Sequence, residues 1–205
     1  MVTVSATYGC GGSFVAPKLA ERVGLPFADR LIPARGSTEA PSAEEGLTDQ
    51  ERAQVRGRRL LERLVLLAPG LNLPTPDAAD LRDQLRDRVA ASIRSLVDQG
   101  GAVLLGRAGA VVLANHPGVF HVRLDGPEQR RIEQGCRFEG IDEARAKDRL
   151  VETDAARSRY VQRLYGRDPA DASLYHVVLD ATVLSVDDVV DVVALAAEAF
   201  WRLDS

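Results

Sequence analysis

The chain has 205 residues, 45% of them hydrophobic and 27% charged, with a formal net charge of −4. That composition is ordinary for a folded globular domain and excludes disorder over the whole length, while the acidic balance speaks against a general nucleic-acid binder, which wants a basic face. No apolar run approaches the roughly 20 residues that a membrane span needs, the two cysteines form neither a disulfide framework nor a metal-ligand spacing, and the opening residues lack the regions of a signal peptide, so the expected compartment is the cytoplasm.

Val2–Ala6 is a β-branched and apolar run, read as a buried strand. Tyr8-Gly9-Cys10-Gly11-Gly12-Ser13 follows as a glycine-rich turn. Phe14, Val15, Leu19 and Val23 then recur at helical spacing until Gly24 and Pro26 stop the helix. A second strand is expected over 25–28. Residues 33–47 are rich in Pro, Gly, Ser and Glu and read as a surface loop. Thr48-Asp49-Gln50-Glu51 is a capping box that predicts a helix to about residue 68. A long helix is predicted over 77–99, with Leu81, Leu85, Val89, Ile93 and Leu96 as its buried stripe.

Residues 102–105 lack alternation and read as a buried strand running into Gly106-Arg107. A short helix over 108–114 leads to a strand at 119–124, and Pro127 opens a charge-dense helical stretch over 128–167. After the turn Gly166-Arg167-Asp168-Pro169 come a last strand, ending at Asp180, and a helix capped by Ser185. Strands alternate with helices throughout. The pattern predicts an α/β fold, a parallel five-stranded sheet with helices on both faces. Ligands in such folds bind beyond the carboxyl ends of the strands. At those ends stand the glycine loop, Asp29-Arg30, Gly106-Arg107, Asp125 and Asp180.

A loop of small residues between a first strand and a first helix exposes consecutive amides to the positive end of the helix dipole, an anion nest suited to phosphate. The pattern G-x-x-x-x-G-K-[ST] maps onto residues 6–13. Gly11 and Ser13 fit it, Ala6 replaces the first glycine and Gly12 replaces the lysine. A tight turn with no ligand is the alternative. Of the 26 basic residues only Lys18 and Lys147 are lysines, so phosphate chemistry here leans on arginine and backbone amides.

The segment from Ser5 through Ser13 to Ala16-Pro17-Lys18-Leu19-Ala20-Glu21, with Gly24-Leu25-Pro26-Phe27-Ala28-Asp29-Arg30, resembles the opening of the cytidylate kinase-like family. Leu104-Leu105-Gly106-Arg107, Thr153-Asp154-Ala155-Ala156-Arg157 and Val178-Leu179-Asp180-Ala181-Thr182 resemble three further segments of that family, in the same order. The resemblance covers residues 2–40 and about 95–200. It implies a P-loop kinase-like fold with core segments at 1–32, 96–130 and 169–205, a helical acceptor-binding insertion at 33–95 and an arginine-rich lid at 131–168. The implied activity is phosphoryl transfer from ATP to a nucleoside monophosphate with Mg²⁺. Gly9, Cys10, Gly11, Gly12, Ser13 and Phe14 would hold the donor, with Ser13 on the metal. Arg157, with Arg149 and Arg163, would close over the transferring group, and Asp29, Arg30, Arg107 and Asp154 would position the acceptor.

Each of these residues also has an ordinary reading. Asp154 and Arg157 stand at i, i+3, the spacing of a surface ion pair, Arg107 and Asp29 are helix-cap candidates, and Tyr160 and Tyr165 read as packing. Cys10, beside a helix N-terminus, is a candidate for a lowered thiol pKa. Lysine is missing from the loop, and Leu105 and Ala108 stand where cytidylate kinases carry acidic residues. Two functions therefore remain open at this point: a cytidylate-like kinase, or a catalytically weak nucleotide- or phosphate-binding module. The expected partners are nucleotides, with no nucleic acid and no membrane, and a homodimer is left open.

Overall fold

The structure, a computed structural model, describes residues 1–28 and 76–203. Asp29, Arg30, the loop at 33–47, the helix at 48–68 and the side chain of Leu81 lie outside the described residues. The strands are β1 (Val2–Ala6), β2 (Phe27–Ala28), β3 (Val103–Leu105), β4 (Phe120–Asp125) and β5 (Val177–Asp180). The helices are α1 (Gly12–Val23), α2 (Pro76–Asp98), α3 (Gly109–Val112), α4 (Glu128–Glu139), α5 (Glu143–Tyr165) and α6 (Val186–Leu203). All strand pairs are parallel, in the order β2-β3-β1-β4-β5.

Side chains alternate across the sheet because the strand period is two. Val2 and Val4 of β1, with Val122 and Leu124 of β4, pack against Val15 and Leu19 of α1 and Val189 and Val193 of α6. On the opposite face Leu104 packs against Ile93 of α2 and Leu113. Burial on both faces explains why these strands read as unbroken apolar runs. The expected stripe of α2 is borne out at Leu85 and Ile93, which are buried, and at Val89 and Leu96, which pack at the margin of that core.

The helical stretch expected over 128–167 divides into two helices. Gly140, at φ 63°, ends α4 in the left-handed conformation, and Asp142 starts α5 by accepting the Arg145 N–H at 2.9 Å. A C-terminal glycine followed by an N-terminal aspartate is a stop-and-start signal. His121 is a core histidine at 3% exposure: its Nδ1 lies 2.7 Å from Thr3 Oγ1, and its ring stacks on His176 with centroids 5.1 Å apart.

Candidate active site

The carboxyl ends of β1, β3 and β4 converge on the glycine loop. Thr7 N–H continues the sheet by donating to Leu124 O at 3.1 Å, and the Thr7 hydroxyl donates to Asp125 Oδ1 at 3.1 Å. Asp125 also accepts from Gly126 N–H and from Arg123, whose Nη2 lies 2.8 Å away. Burial works against the carboxylate, but the Gly126 amide and the Arg123 guanidinium hold its pKa below the usual range. Arg123, itself buried, donates to Pro169 O at 2.6 Å. These bonds tie the loop's first residues to the segment that follows α5.

The loop then turns through Gly9 (φ 80°) and Gly11 (φ 68°), and Gly11 caps α1 with no side chain involved. A Cβ on Gly9 would stand 2.1 Å from the backbone oxygen of Arg131, so α4 lies directly on the loop and only glycine fits. Cys10 N–H turns inward to Thr7 O at 3.3 Å. Among the described residues, the amides of Gly9, Gly11, Gly12 and Ser13 have no protein acceptor, and they surround the N-terminus of α1. Of the amides expected in the nest, that of Cys10 is thus used within the loop. Its thiol does not fit the reactive reading either: burial pushes it up to about 11, with the Thr7 hydroxyl only partly opposing.

Three charged side chains from the α4–α5 pair contact the same loop. Asp154 Oδ1 accepts from Tyr8 N–H at 2.8 Å, and Asp154 Oδ2 accepts from Arg131 Nη1 at 2.6 Å. Arg157 Nη1 donates to Ala6 O at 2.7 Å and stands 3.8 Å from Asp154 Oδ1. Asp154 and Arg157 are therefore both at the loop. The carboxylate of Asp154 is engaged with Tyr8 and Arg131 more closely than with Arg157. The Tyr8 ring fills the space over Gly135, where a Cβ would meet its Cε1 at 2.7 Å. Burial and the neighbouring Glu139 carboxylate push the phenol up to about 12. Phe14, half-exposed, sets its ring 4.7 Å from that of Phe138.

A family model described as the cytidylate kinase-like family matches residues 1–183. The chain belongs to that family. It is 28% identical over 210 residues to the cytidylate kinase of Methanopyrus kandleri, an alignment covering 97% of this chain and 93% of that one. Among solved structures it resembles an uncharacterized protein from Eubacterium ventriosum, with a TM-score of 0.64 and 18% identity over 96% of this chain and 97% of the other. It also resembles a sugar kinase from Janibacter, with a TM-score of 0.50 and 18% identity over 97% and 94%. These two likenesses bear on the fold, and they agree with the five-stranded parallel sheet.

The other residues singled out in this member of the family divide clearly. Arg107 follows β3 at φ 65°, between Gly106 at 76° and Ala108 at 54°. Two consecutive non-glycine residues in the left-handed region store strain that a fold retains at special sites. The turn sends the guanidinium toward Tyr160, where it offsets part of the upward push that burial gives that phenol. Arg149 pairs with Glu139, and Arg163 is exposed on α5. Asp29 and Arg30 lie outside the described residues. Lys18 turns away from the loop to Asp187, at 2.6 Å. Asp180, at the end of β5, accepts from Thr182 and Arg130 and serves as a structural acceptor.

Arg131 went unnoticed in the sequence. It sits in a helix dense with charge, where an arginine reads as a solvated one, yet it is 8% exposed. Only the packing of α4 on the loop reveals it. No helix among the described residues is long and apolar enough to cross a membrane.

Proposed function

We propose that this chain transfers the terminal phosphoryl group of ATP to a nucleoside monophosphate of the cytidylate type. The observation that carries the reading is the open amide cradle of Gly9, Gly11, Gly12 and Ser13 with the Arg157 fork at its rim, 2.7 Å from Ala6 O. Phosphoryl transfer needs positioning and charge neutralisation more than covalent chemistry, and this arrangement offers both. The four amides and the α1 dipole bind the donor phosphates. Arg157, with Arg149 and Arg163 on the same helix, belongs to a lid that closes over the transferring group. Arg107, aimed by its strained turn, orients the acceptor together with Asp29 and Arg30.

Magnesium fits this site in one way. Among the described residues there is no group of three or more Asp, Glu, His or Cys that could hold a metal ion. A magnesium ion carried on nucleotide phosphates needs only one or two protein oxygens. Ser13, exposed in the first turn of α1, is the residue that would hold it. When bound, the ion would neutralise phosphate charge.

The test is ADP release coupled to a spectroscopic readout, with ATP and a panel of CMP, dCMP, UMP, AMP and GMP. Turnover highest with CMP or dCMP supports the reading. Turnover only with another monophosphate changes the acceptor and keeps the reaction class. A second reading, a catalytically weak nucleotide-binding module, is favoured by Gly12 in the lysine position and by Leu105 and Ala108 in place of acidic residues. ATP binding without turnover on any acceptor decides for it.

A further inference from the structure

The loop has no lysine, and its steric surroundings account for that. A Cβ on Gly12 would lie 2.6 Å from the Cβ of Ala6 and 3.3 Å from Leu105 Cδ1. Ala6 stands where the phosphate-loop pattern has its first glycine, and Gly12 where it has lysine. The two departures are complementary, because the methyl group of Ala6 fills the space that a side chain at 12 would enter. A lysine at 12 requires removal of that methyl.

What the loop has instead is a charged cluster from the helical pair. Arg131 Nη1 donates to Asp154 Oδ2 at 2.6 Å and to Tyr8 O at 3.4 Å, and Asp154 Oδ1 accepts from Tyr8 N–H at 2.8 Å. The ion pair thus grips one loop residue by both of its backbone polar groups, from two different helices. Arg157 takes a third backbone group, Ala6 O. Two arginines and one aspartate leave a net charge of +1 at the loop, that of a single lysine. Arg131 has a side-chain exposure of 10%, and its Nε is buried with no hydrogen-bond partner. Arg131 is buried while Asp154 keeps 24% side-chain exposure; desolvating the arginine offsets much of what the pair gains, so its placement is better explained by what it positions.

We propose that the pair of buried Arg131 with Asp154 takes over the work of the absent loop lysine. It fixes the backbone of the phosphate loop at Tyr8 and, with Arg157, gives the cradle its single positive charge. Arg131 and Asp154 are positioning residues in this account. The proposal rests on the phosphate-binding reading of the loop, and the test keeps the two apart.

The first measurement needs no ligand. Amide hydrogen exchange of the nucleotide-free protein, read by NMR, follows Tyr8 N–H. Loss of a charge-assisted bond in Asp154→Ala should speed its exchange by about tenfold or more, while the Val4 amide in β1 stays protected. Asp154→Asn, which keeps the shape and weakens the acceptor, serves in its place if thermal melting shows Asp154→Ala unfolded. The second measurement is calorimetric titration with inorganic tripolyphosphate and with ATP. Arg131→Gln should weaken both by about tenfold or more, and Arg131→Lys should recover part of the loss because the charge is kept.

The decisive variant adds Ala6→Gly and Gly12→Lys to Arg131→Gln. Lysine then enters the space the methyl has left, and triphosphate affinity should return toward that of the wild type. Wild-type affinity in folded Arg131→Gln overturns the proposal. So does a folded triple variant that binds no better than Arg131→Gln. If the wild type binds neither tripolyphosphate nor ATP, the phosphate reading of the loop fails. Unchanged Tyr8 exchange in the Asp154 variants would then reject the clamp as well.

Discussion

Lowering the pH from 7.5 to 4.5 should destabilise the fold through its paired histidines before the carboxylates matter. His121 Nδ1 meets the Thr3 hydroxyl at 2.7 Å, and its Nε2 lies 3.3 Å from Leu113 O, so the neutral ring is satisfied on both sides. The His121 backbone N–H donates to His176 Nδ1 at 2.9 Å, which requires that nitrogen to be bare. Burial, and then the neighbouring His176, push the pKa of His121 down from 6.5 to about 4. That of His176 is lowered by burial as well.

The folded pKa lies below the unfolded one, so the unfolded chain binds more protons in the window between them. Stability is therefore fully present above about pH 6.5 and is lost as the pH falls toward 4. At about 1.4 kcal/mol per pH unit, the shift at His121 corresponds to about 3 kcal/mol, which solvent screening around the partly exposed stack reduces to about 2 kcal/mol. That is a sizeable share of a typical domain's stability. Urea denaturation at half-unit pH intervals measures it. His121→Gln, whose amide can meet both Thr3 and Leu113, should flatten the profile by most of that amount. Wild-type stability that is unchanged or rises from pH 6.5 to 4.5 would refute the reasoning, as would an equally steep profile in His121→Gln.

Three further outcomes concern the loop and the helix over it. Arg157→Ala should lower turnover by about a hundredfold or more, the range seen when one charge-stabilising group is lost, with a smaller change in nucleotide affinity; Arg157→Lys should not restore it, since the planar fork matches phosphate oxygens. Single-turnover kinetics alongside ATP titration separates the two effects. Gly9→Ala places a methyl against Arg131 O at a φ of 80°, and should cost about 2 kcal/mol or more of stability by thermal or chemical denaturation. Gly11→Val forces a β-branched residue to a φ of 68° beside Phe138, and should abolish ATP binding by calorimetry while circular dichroism reports the fold retained.

Much of the fold was legible because it depends on local patterns. Val2–Ala6 is a central strand because its residues are buried on both faces, and such a strand is written as an unbroken apolar run. The Gly9–Gly12 turn was visible because only glycine tolerates its dihedrals and its close contacts. Asp154 and Arg157 were singled out by the resemblance of their segment to one of the family's, their spacing alone giving only an ion pair, and the structure brings both to the loop. The break between α4 and α5 is also written in the sequence, as the glycine stop at Gly140 and the aspartate cap at Asp142.

By itself, then, the sequence determined the strand-helix alternation, the parallel sheet and the place of the loop, all of which follow from periodicities a few residues long. The tertiary structure alone decided that Arg131 is buried against Tyr8, that the Ala6 methyl occupies the space of a lysine at 12, and that His121 stacks on His176. Those contacts join residues 123, 6 and 55 positions apart. Whether a charge is solvated or buried, and whether a side chain has room, depends on which helix packs over it. No local pattern records that, because an arginine on an exposed helix face and one folded beneath its neighbour have the same spacing in the chain.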